Sequence, residues 1–372
     1  MSVRKRVWTN AKGEQSAWLA DYRDRDGKRR ARTFPTQRAA KDWLAKTQVD
    51  LAAGTHVARS VSATVSEALE AWLAHCQKEG LEKSTVEQRE QHARLHIRPQ
   101  LGAVKLSDLT APDVRAWLDR LRDGGTSLAM RRKALTTLKT GLDYAQNYGM
   151  AGQNVARSVK APRDVRNEAS EVVIPTKREI RALIENTPDD WRAFIVTAIF
   201  TGLRQSELRG LRWSHVDFDN KIVGVRARAD KWGNMGPPKS KAGRRDIPLA
   251  PIVVSALKQH RAAQPVGRDG LVFANRNGRP FNPSNLHSRV YGPIQERAGL
   301  VKADGSPKYT FHALRHAAAS LMIEQGWPPK KIQSILGHAS IQITFDRYGH
   351  LFPSADDDQA AMARMERALL VD

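Results

Sequence analysis

Apolar and polar positions change period several times along this 372-residue chain, and each change marks an element. Ala17 to Tyr22 alternates with period two, Asp26-Gly27 supplies a turn, and the polar, basic run Lys28 to Phe34 completes a hairpin. Thr36 then caps a helix carrying Ala39, Ala40, Trp43 and Leu44. Beyond residue 60 the period turns helical. Val65, Ala68, Leu69, Trp72, Leu73 and Cys76 repeat at i, i+3, i+4, i+7. Thr64 to Glu67, Ser84 to Glu87 and Thr110 to Asp113 read as capping boxes or close variants, so several short helices around one core are expected up to about residue 160. Residues 161–174, with Pro162 and a run of charges ahead of Pro175, lack periodicity and read as a linker.

The C-terminal half mixes both periods. Thr176 with Glu179 caps a helix, Trp191 to Phe200 is apolar enough to be its buried neighbour, and Gly202 breaks it. Asp217 to Asn220 forms a turn, Ile222, Val223 and Val225 a strand, and Arg244 to Leu249 its partner. Leu314, Ala318, Leu321 and Met322 mark the core face of a further helix that Gly326 closes. Pro328-Pro329 starts the next helix, Gly337 ends it, and Ser340 caps the one after. Met362, Met365, Ala368, Leu369 and Leu370 make an apolar stripe on a last helix, beyond a loop ending at Asp356 to Asp358. The fold class expected is multidomain and mainly α with small β-sheets (α+β). Its divisions are 1–60, a small sheet plus a helix; 61–160, helical; 161–174, linker; and 175–372, mixed α/β with a tail helix.

Charge adds a partner to this picture. The chain carries 61 Lys+Arg against 39 Asp+Glu, a formal +22 with a pI near 10.4, and is drawn to polyanions, of which nucleic acid is foremost at this size. Residues 1–60 alone hold 14 Lys+Arg and 6 Asp+Glu. Arg30 and Arg32 share one strand face there, and Arg131, Arg132 and Lys133 put three cations on one helical turn, a costly arrangement without an anion. These five are the candidate DNA contacts. A membrane role is disfavoured, because the longest apolar run, Phe194 to Phe200, falls far short of the roughly 20 residues that a span requires. A single cysteine, Cys76, excludes an internal disulfide and any cysteine-rich zinc site. No cofactor and no metal are expected, and the compartment that fits is a reducing cytoplasm.

Six residues then read as one phosphodiester-transfer site: Arg204, Lys239, His312, Arg315, His338 and Tyr348. Two guanidiniums can grip a phosphate bidentately, a lysine can protonate a departing sugar oxygen, histidines can move protons, and a tyrosine can attack phosphorus. His312 and Arg315, at i and i+3, share a helix face. His316 falls off their line and reads as a core or supporting group. Lys239 competes with Lys241, two residues on in the same loop.

The strings around these residues carry a resemblance. Thr201-Gly202-Leu203-Arg204-Gln205-Ser206-Glu207-Leu208-Arg209-Gly210-Leu211, His312-Ala313-Leu314-Arg315-His316, Leu336-Gly337-His338 and Thr344 to Leu351 around Tyr348 resemble the signature boxes of the tyrosine recombinases, the phage integrase family. The likeness is close over residues 175–352 and general before that. It implies a core-binding, SAM-like domain at 61–160 and an arm-type DNA-binding domain at 1–60, built on a three-stranded sheet. The implied activity is site-specific recombination through a 3′-phosphotyrosine, most like integrases of temperate phages or integrative elements. His312 would be the base, Lys239 the acid and His338 a hydrogen-bond donor to the phosphate. The implied partners are double-stranded DNA at attachment sites, a homotetramer on that DNA, a directionality factor and a DNA-bending host protein, all in the bacterial cytoplasm at the nucleoid. A type IB topoisomerase-like enzyme and a silent DNA-binding regulator of the same fold are the alternatives.

Overall fold

The computed structural model describes residues 1–11, 13–24, 27–161, 173–264, 268–352 and 358–370, the side chains of Asp358 and Ala361 excepted. Asp26 of the expected turn, most of the expected linker and the loop at 356–357 lie outside the described residues. The chain divides into two units, Met1–Asn167 and Glu168–Asp372.

The first unit opens with an antiparallel sheet in the order β1 (Ser2–Asn10), β2 (Gly13–Arg23), β3 (Arg29–Phe34). Thr36 accepts a hydrogen bond from the Ala39 amide and starts α1 (Gln37–Ala52) as its sequence predicts. Ala20, Tyr22, Ala40 and Leu44 form a small core with Trp18, Phe34 and Trp43 packed on it. Because strand side chains alternate, this burial assigns the two faces. Trp18, Ala20 and Tyr22 face α1, and the register Tyr22 to Arg30, Ala20 to Arg32 and Trp18 to Phe34 puts Arg30, half-buried, and Arg32, exposed, on that same face. Arg4, Arg6 and Trp8, with Arg23 and Arg29, occupy the opposite, exposed face.

The same unit continues with α2 (Val65–Lys78), α3 (Lys83–His92), a π turn leading into α4 (Arg98–Leu101), α5 (Ala111–Asp123) and α6 (Leu128–Asn147). Thr64 with Glu67 and Thr110 with Asp113 form reciprocal capping boxes. The expected box from Ser84 to Glu87 does not form. Leu81 is drawn onto the helical core, so α3 starts at Lys83, after Glu82, and Ser84 is already inside it. Leu69, Trp72, Ile97, Trp117, Leu135 and Leu138 fill that core. A Cβ on Gly141 would come within 2.5 Å of Leu69 Cδ2, so α6 approaches α2 only through glycine.

In the second unit α7 (Lys177–Glu185), capped by Thr176 and Glu179, precedes α8 (Asp189–Thr201), whose Phe194, Ile195 and Ile199 are buried. After α9 (Gln205–Arg209) comes a sheet ordered β4 (Val216–Asp217), β5 (Ile222–Val225), β8 (Arg245–Pro248), with the short hairpin β6 (Arg228–Ala229) and β7 (Met235–Gly236) between β5 and β8 in sequence. Ile222 pairs with Pro248 and Val225 with Arg245, the partnership expected of these segments. Helices α10 (Pro251–Ala263), α11 (Pro283–Leu286), α12 (Gly292–Arg297), α13 (Ala313–Glu324), α14 (Pro329–Leu336) and α15 (Ile341–Tyr348) complete the domain, and α16 (Asp358–Leu370) ends the described chain. Ser340 occupies the N-cap position of α15 without a side-chain cap bond. The mainly helical, multidomain α+β class is the one the chain adopts.

Candidate active site

Two glycines at helix ends shape the site. Gly202 closes α8 at φ 61°, and a Cβ there would stand 2.7 Å from Leu336 Cδ2 and 3.1 Å from the Ala318 Cβ. Gly337 closes α14 at φ 65°, where a Cβ would stand 2.8 Å from the Ala242 carbonyl oxygen. Both positions need a left-handed backbone and bare Cα packing, which glycine alone supplies cheaply. The chain therefore leaves each helix sharply, and the residues just past the turns, Arg204 and His338, enter one cluster.

Arg204 is the N-cap of α9, in extended conformation at φ −65°, ψ 148°. Its Nη1 donates to Glu207 Oε1 at 2.6 Å and its Nη2 to the Gly337 carbonyl at 3.0 Å. Arg315, on α13, is only 2% exposed. Its Nη1 donates to the Gly202 carbonyl at 2.8 Å and its Nη2 to the Leu336 carbonyl. Both guanidiniums thus hang on consecutive carbonyls, Leu336 and Gly337, immediately before His338. Burial, then the charge of Arg204, pushes the Arg315 pKa down to about 9, opposed by Glu207; the group stays cationic at neutral pH.

His338 is buried, with Nδ1 2.9 Å from Thr344 Oγ1 and an enclosed Nε2 that has no hydrogen-bond partner. Burial, followed by repulsion from Arg315 and Arg204, pushes its pKa down to about 3, so the imidazole is neutral. Its ring lies nearly parallel to that of Tyr348, 16° apart with centroids at 6.5 Å. Tyr348 ends α15 and is fully buried. Burial raises its phenol pKa, while Arg315 and Arg347 oppose the rise.

The tyrosine's hydrogen-bond partner departs from the expected arrangement. His316, expected away from the chemistry, holds Nδ1 at 2.7 Å from the Tyr348 hydroxyl. His312, at the N-cap of α13, is exposed and meets His316 edge-on, ring centroids 4.8 Å apart. One further helical position turned His316 toward α15, which sequence spacing could not show because it does not place α15. Desolvation comes first in lowering both histidines to about 4; repulsion from His316 and then Arg315 follows at His312, and repulsion from Arg347 and then Arg315 at His316. Beside His312 opens a cleft of about 340 Å³ lined by Gln205, His287 and Thr310 among others.

Arg204, His312, Arg315, His338 and Tyr348 are brought together. Lys239 lies on the exposed connection between β7 and the short turn Lys241–Gly243, and Lys241 is exposed on the same connection, so both remain candidates. Residues outside the expected catalytic set hold the site from behind, among them Glu207, the i+3 neighbour with which Arg204 pairs. Glu207, 3% exposed, is shared by Arg204 and Arg245; burial would raise its carboxyl, but the hydrogen bond and charge of Arg245, then Arg204, hold it below the ordinary value. Arg209 is buried and donates to the carbonyls of Phe281, Ala229 and Asp230. Their signal was present in the sequence: charged residues flanking the core position Leu208, and Arg245 two residues before Ile247, on the same strand face.

The other candidate contacts separate by exposure. Arg30 is half-buried, with Nε 2.8 Å from Asp24 and Nη1 2.6 Å from Ser60 Oγ, and Arg32 lies over the Phe34 and Trp43 rings at 5.6 and 5.7 Å. Sharing a face is correct for this pair, and it is the face that α1 packs against, where Arg30 is half-buried and Arg32 stays exposed. Arg132 and Lys133 are exposed at the start of α6, and Arg131 is half-buried with its Nε enclosed and unpaired.

Comparison with known proteins agrees with this geometry. The phage integrase family profile matches residues 175–354, and the phage integrase N-terminal SAM-like domain matches residues 64–122. An integrase of Streptomyces ambofaciens is 28% identical over 360 residues, covering 90% of this chain and 89% of its own length. Among solved structures, the Tn1549 transposon integrase in complex with a circular intermediate DNA superposes with a TM-score of 0.69 at 22% identity, covering 82% of this chain and all of that one. A lambda integrase tetramer bound to a Holliday junction gives 0.60 at 22% identity, covering 90% and 95%. Those folds, the two matched domains and the converging arginines, histidines and tyrosine lead to one assignment: the chain belongs to the phage integrase family of tyrosine recombinases and is a tyrosine-type site-specific DNA recombinase.

Proposed function

We propose that Tyr348 is the nucleophile of a strand transfer that joins or releases a mobile element. The Tyr348 oxygen attacks phosphorus, its proton passes to His316, the bond from phosphorus to O5′ breaks, and the lysine of the 239–241 loop, taken as Lys239, gives O5′ a proton. A 3′-phosphotyrosine and a 5′-hydroxyl result. The ester keeps the bond energy, so rejoining to another strand needs no nucleotide cofactor. His316 accepts the hydroxyl proton in place of His312 because it is already bonded to it, and the arriving phosphodiester's negative charge raises the proton affinity of that neutral imidazole. Arg204 and Arg315 stabilise the phosphorane, and the unpartnered Nε2 of His338 donates to a non-bridging oxygen. What carries the reading is the attachment of both guanidiniums to the carbonyls just before His338.

The remaining parts serve grip and assembly. Residues 1–60 act as an arm-type DNA-binding domain, 61–160 as a core-binding domain, 161–174 as the linker and 175–372 as the catalytic domain with its tail. The open sheet face, with Arg4, Arg6, Arg23 and Arg29, meets the arm DNA, and Arg132 and Lys133 meet phosphates of the core site. Two duplexes exchanging four strands need four tyrosines, hence a tetramer on attachment-site DNA, with a directionality factor and a bending protein setting the direction of a reaction neutral in bond energy. Met362, Met365, Leu369 and Leu370 on α16 are exposed, which favours docking on a neighbouring protomer. Deleting residues 357–372 should spare single-site binding and impair synapsis; normal recombination by the truncated chain refutes that docking. The reading as a whole is tested on a nicked suicide duplex built from the core site recovered at the element's junctions. It requires a covalent adduct whose DNA-bearing peptide contains Tyr348, and an adduct elsewhere overturns it.

A further inference from the structure

Arg245 begins β8, directly after the loop that carries the candidate acid lysines, and is 7% exposed. Its Nε donates to the Ile335 carbonyl on α14. Its Nη1 donates to the Gly243 carbonyl at 2.9 Å and to Glu207 Oε1 at 3.2 Å, and its Nη2 donates to Glu207 Oε2 at 2.8 Å. A Cβ on Gly337 would come within 2.9 Å of Arg245 Nη1, so the guanidinium packs right under the turn that presents His338. One planar fork therefore reaches three segments: the end of the lysine loop, the carboxylate that holds Arg204, and the helix leading into His338. Lysine, a point charge without the fork, cannot make this set of bonds.

We propose that Arg245 is a positioning residue for leaving-group protonation: it fastens the lysine loop, at Gly243, to the frame that holds Arg204 and His338. The loop is otherwise exposed around Lys239 and Lys241, and Gly243 is the buried residue of its last turn. Without the fork the loop keeps its sequence and charge but loses this tie to the groups that meet the scissile phosphate. This inference rests on the strand-transfer reading above.

The test uses the full-length chain with Arg245→Lys on the nicked core-site duplex, made with either oxygen or sulfur at the 5′ bridging position. A thiolate leaves without needing a proton, so the sulfur ester bypasses the acid. Adduct formation on the oxygen ester should fall roughly 10–100-fold, the scale for displaced catalytic groups, while the sulfur ester should be cleaved within about threefold of wild type. Equal losses on both esters, or no loss on either, overturn the inference. If the lysine variant does not fold, Arg245→Met combined with Glu207→Met replaces the buried ion pair by apolar side chains of similar volume, a change that folds tolerate. There a larger relative loss on oxygen than on sulfur supports the proposal, and equal losses reject it. Wild-type protein failing to form the Tyr348 adduct would instead reject the strand-transfer reading itself, so the two failures are told apart.

Discussion

Arg315 of the catalytic unit is 2% exposed with both terminal nitrogens bonded to main-chain carbonyls, whereas Arg4 and Arg6 on the outer face of the N-terminal sheet are exposed. The same side chain serves two physical tasks. A buried guanidinium anchored on main-chain carbonyls has already lost most of its water and its rotamer freedom, so it can meet charge that develops on phosphorus without reorganising. An exposed one keeps both, and attracts a polyanion chiefly by releasing counterions. Burial on one side and solvation on the other predict different responses to mutation, salt and pH.

The largest effect should come from the nucleophile inside the buried set. Tyr348→Phe should abolish the covalent adduct entirely while leaving core-site affinity unchanged, read by denaturing gel against gel shift. An adduct persisting in that variant would remove Tyr348 from the mechanism. Next, Arg204→Ala and Arg315→Ala should each slow cleavage about 10²–10³-fold with a much smaller change in binding. Equal losses in rate and affinity would place these arginines with the exposed class and break the comparison.

Protonation should discriminate a third way. His338, with its pKa near 3, stays neutral when folded and takes up a proton below about 6.5 when unfolded. Between those values the unfolded chain binds more protons, so stability falls as pH falls; for His338 alone the loss is roughly 2 kcal/mol between pH 6.5 and 5. Thermal melting of wild type and His338→Gln at pH 7.5 and 5 checks this, and an equal drop in both proteins would count against it. The smallest expected effect lies on the sheet. Arg4→Ala with Arg6→Ala should weaken DNA binding by the N-terminal module and lower the slope of log affinity against log salt by about one per arginine. Arg30→Ala should leave that slope unchanged and lower the melting temperature, because it breaks the Asp24 and Ser60 bonds. A flattened slope for Arg30→Ala instead would reverse the assignment of the two faces.

Much of this was fixed locally. Thr64, Thr110 and Thr176 cap the helices their spacing announces, since a capping box involves residues only three apart. Gly202 and Gly337 end helices where the apolar period stops, and the order of arginine, lysine, histidine and tyrosine boxes is enough to indicate the chemistry. Packing between distant segments decided the rest. Arg30 and Arg32 were legible as a pair on one strand face, but only the packing of α1 on that face separates the half-buried Arg30 from the exposed Arg32. His316 became the tyrosine's partner because the end of α15 brings Tyr348 to α13, and Arg245 became a tie within the site because Gly243, Glu207 and Ile335 meet around it. A sequence records periods and local hydrogen-bond grammar, which act over three or four residues. Which buried donor meets which acceptor across tens of residues is set by the packing of whole elements, where each polar group must find a partner once water is gone.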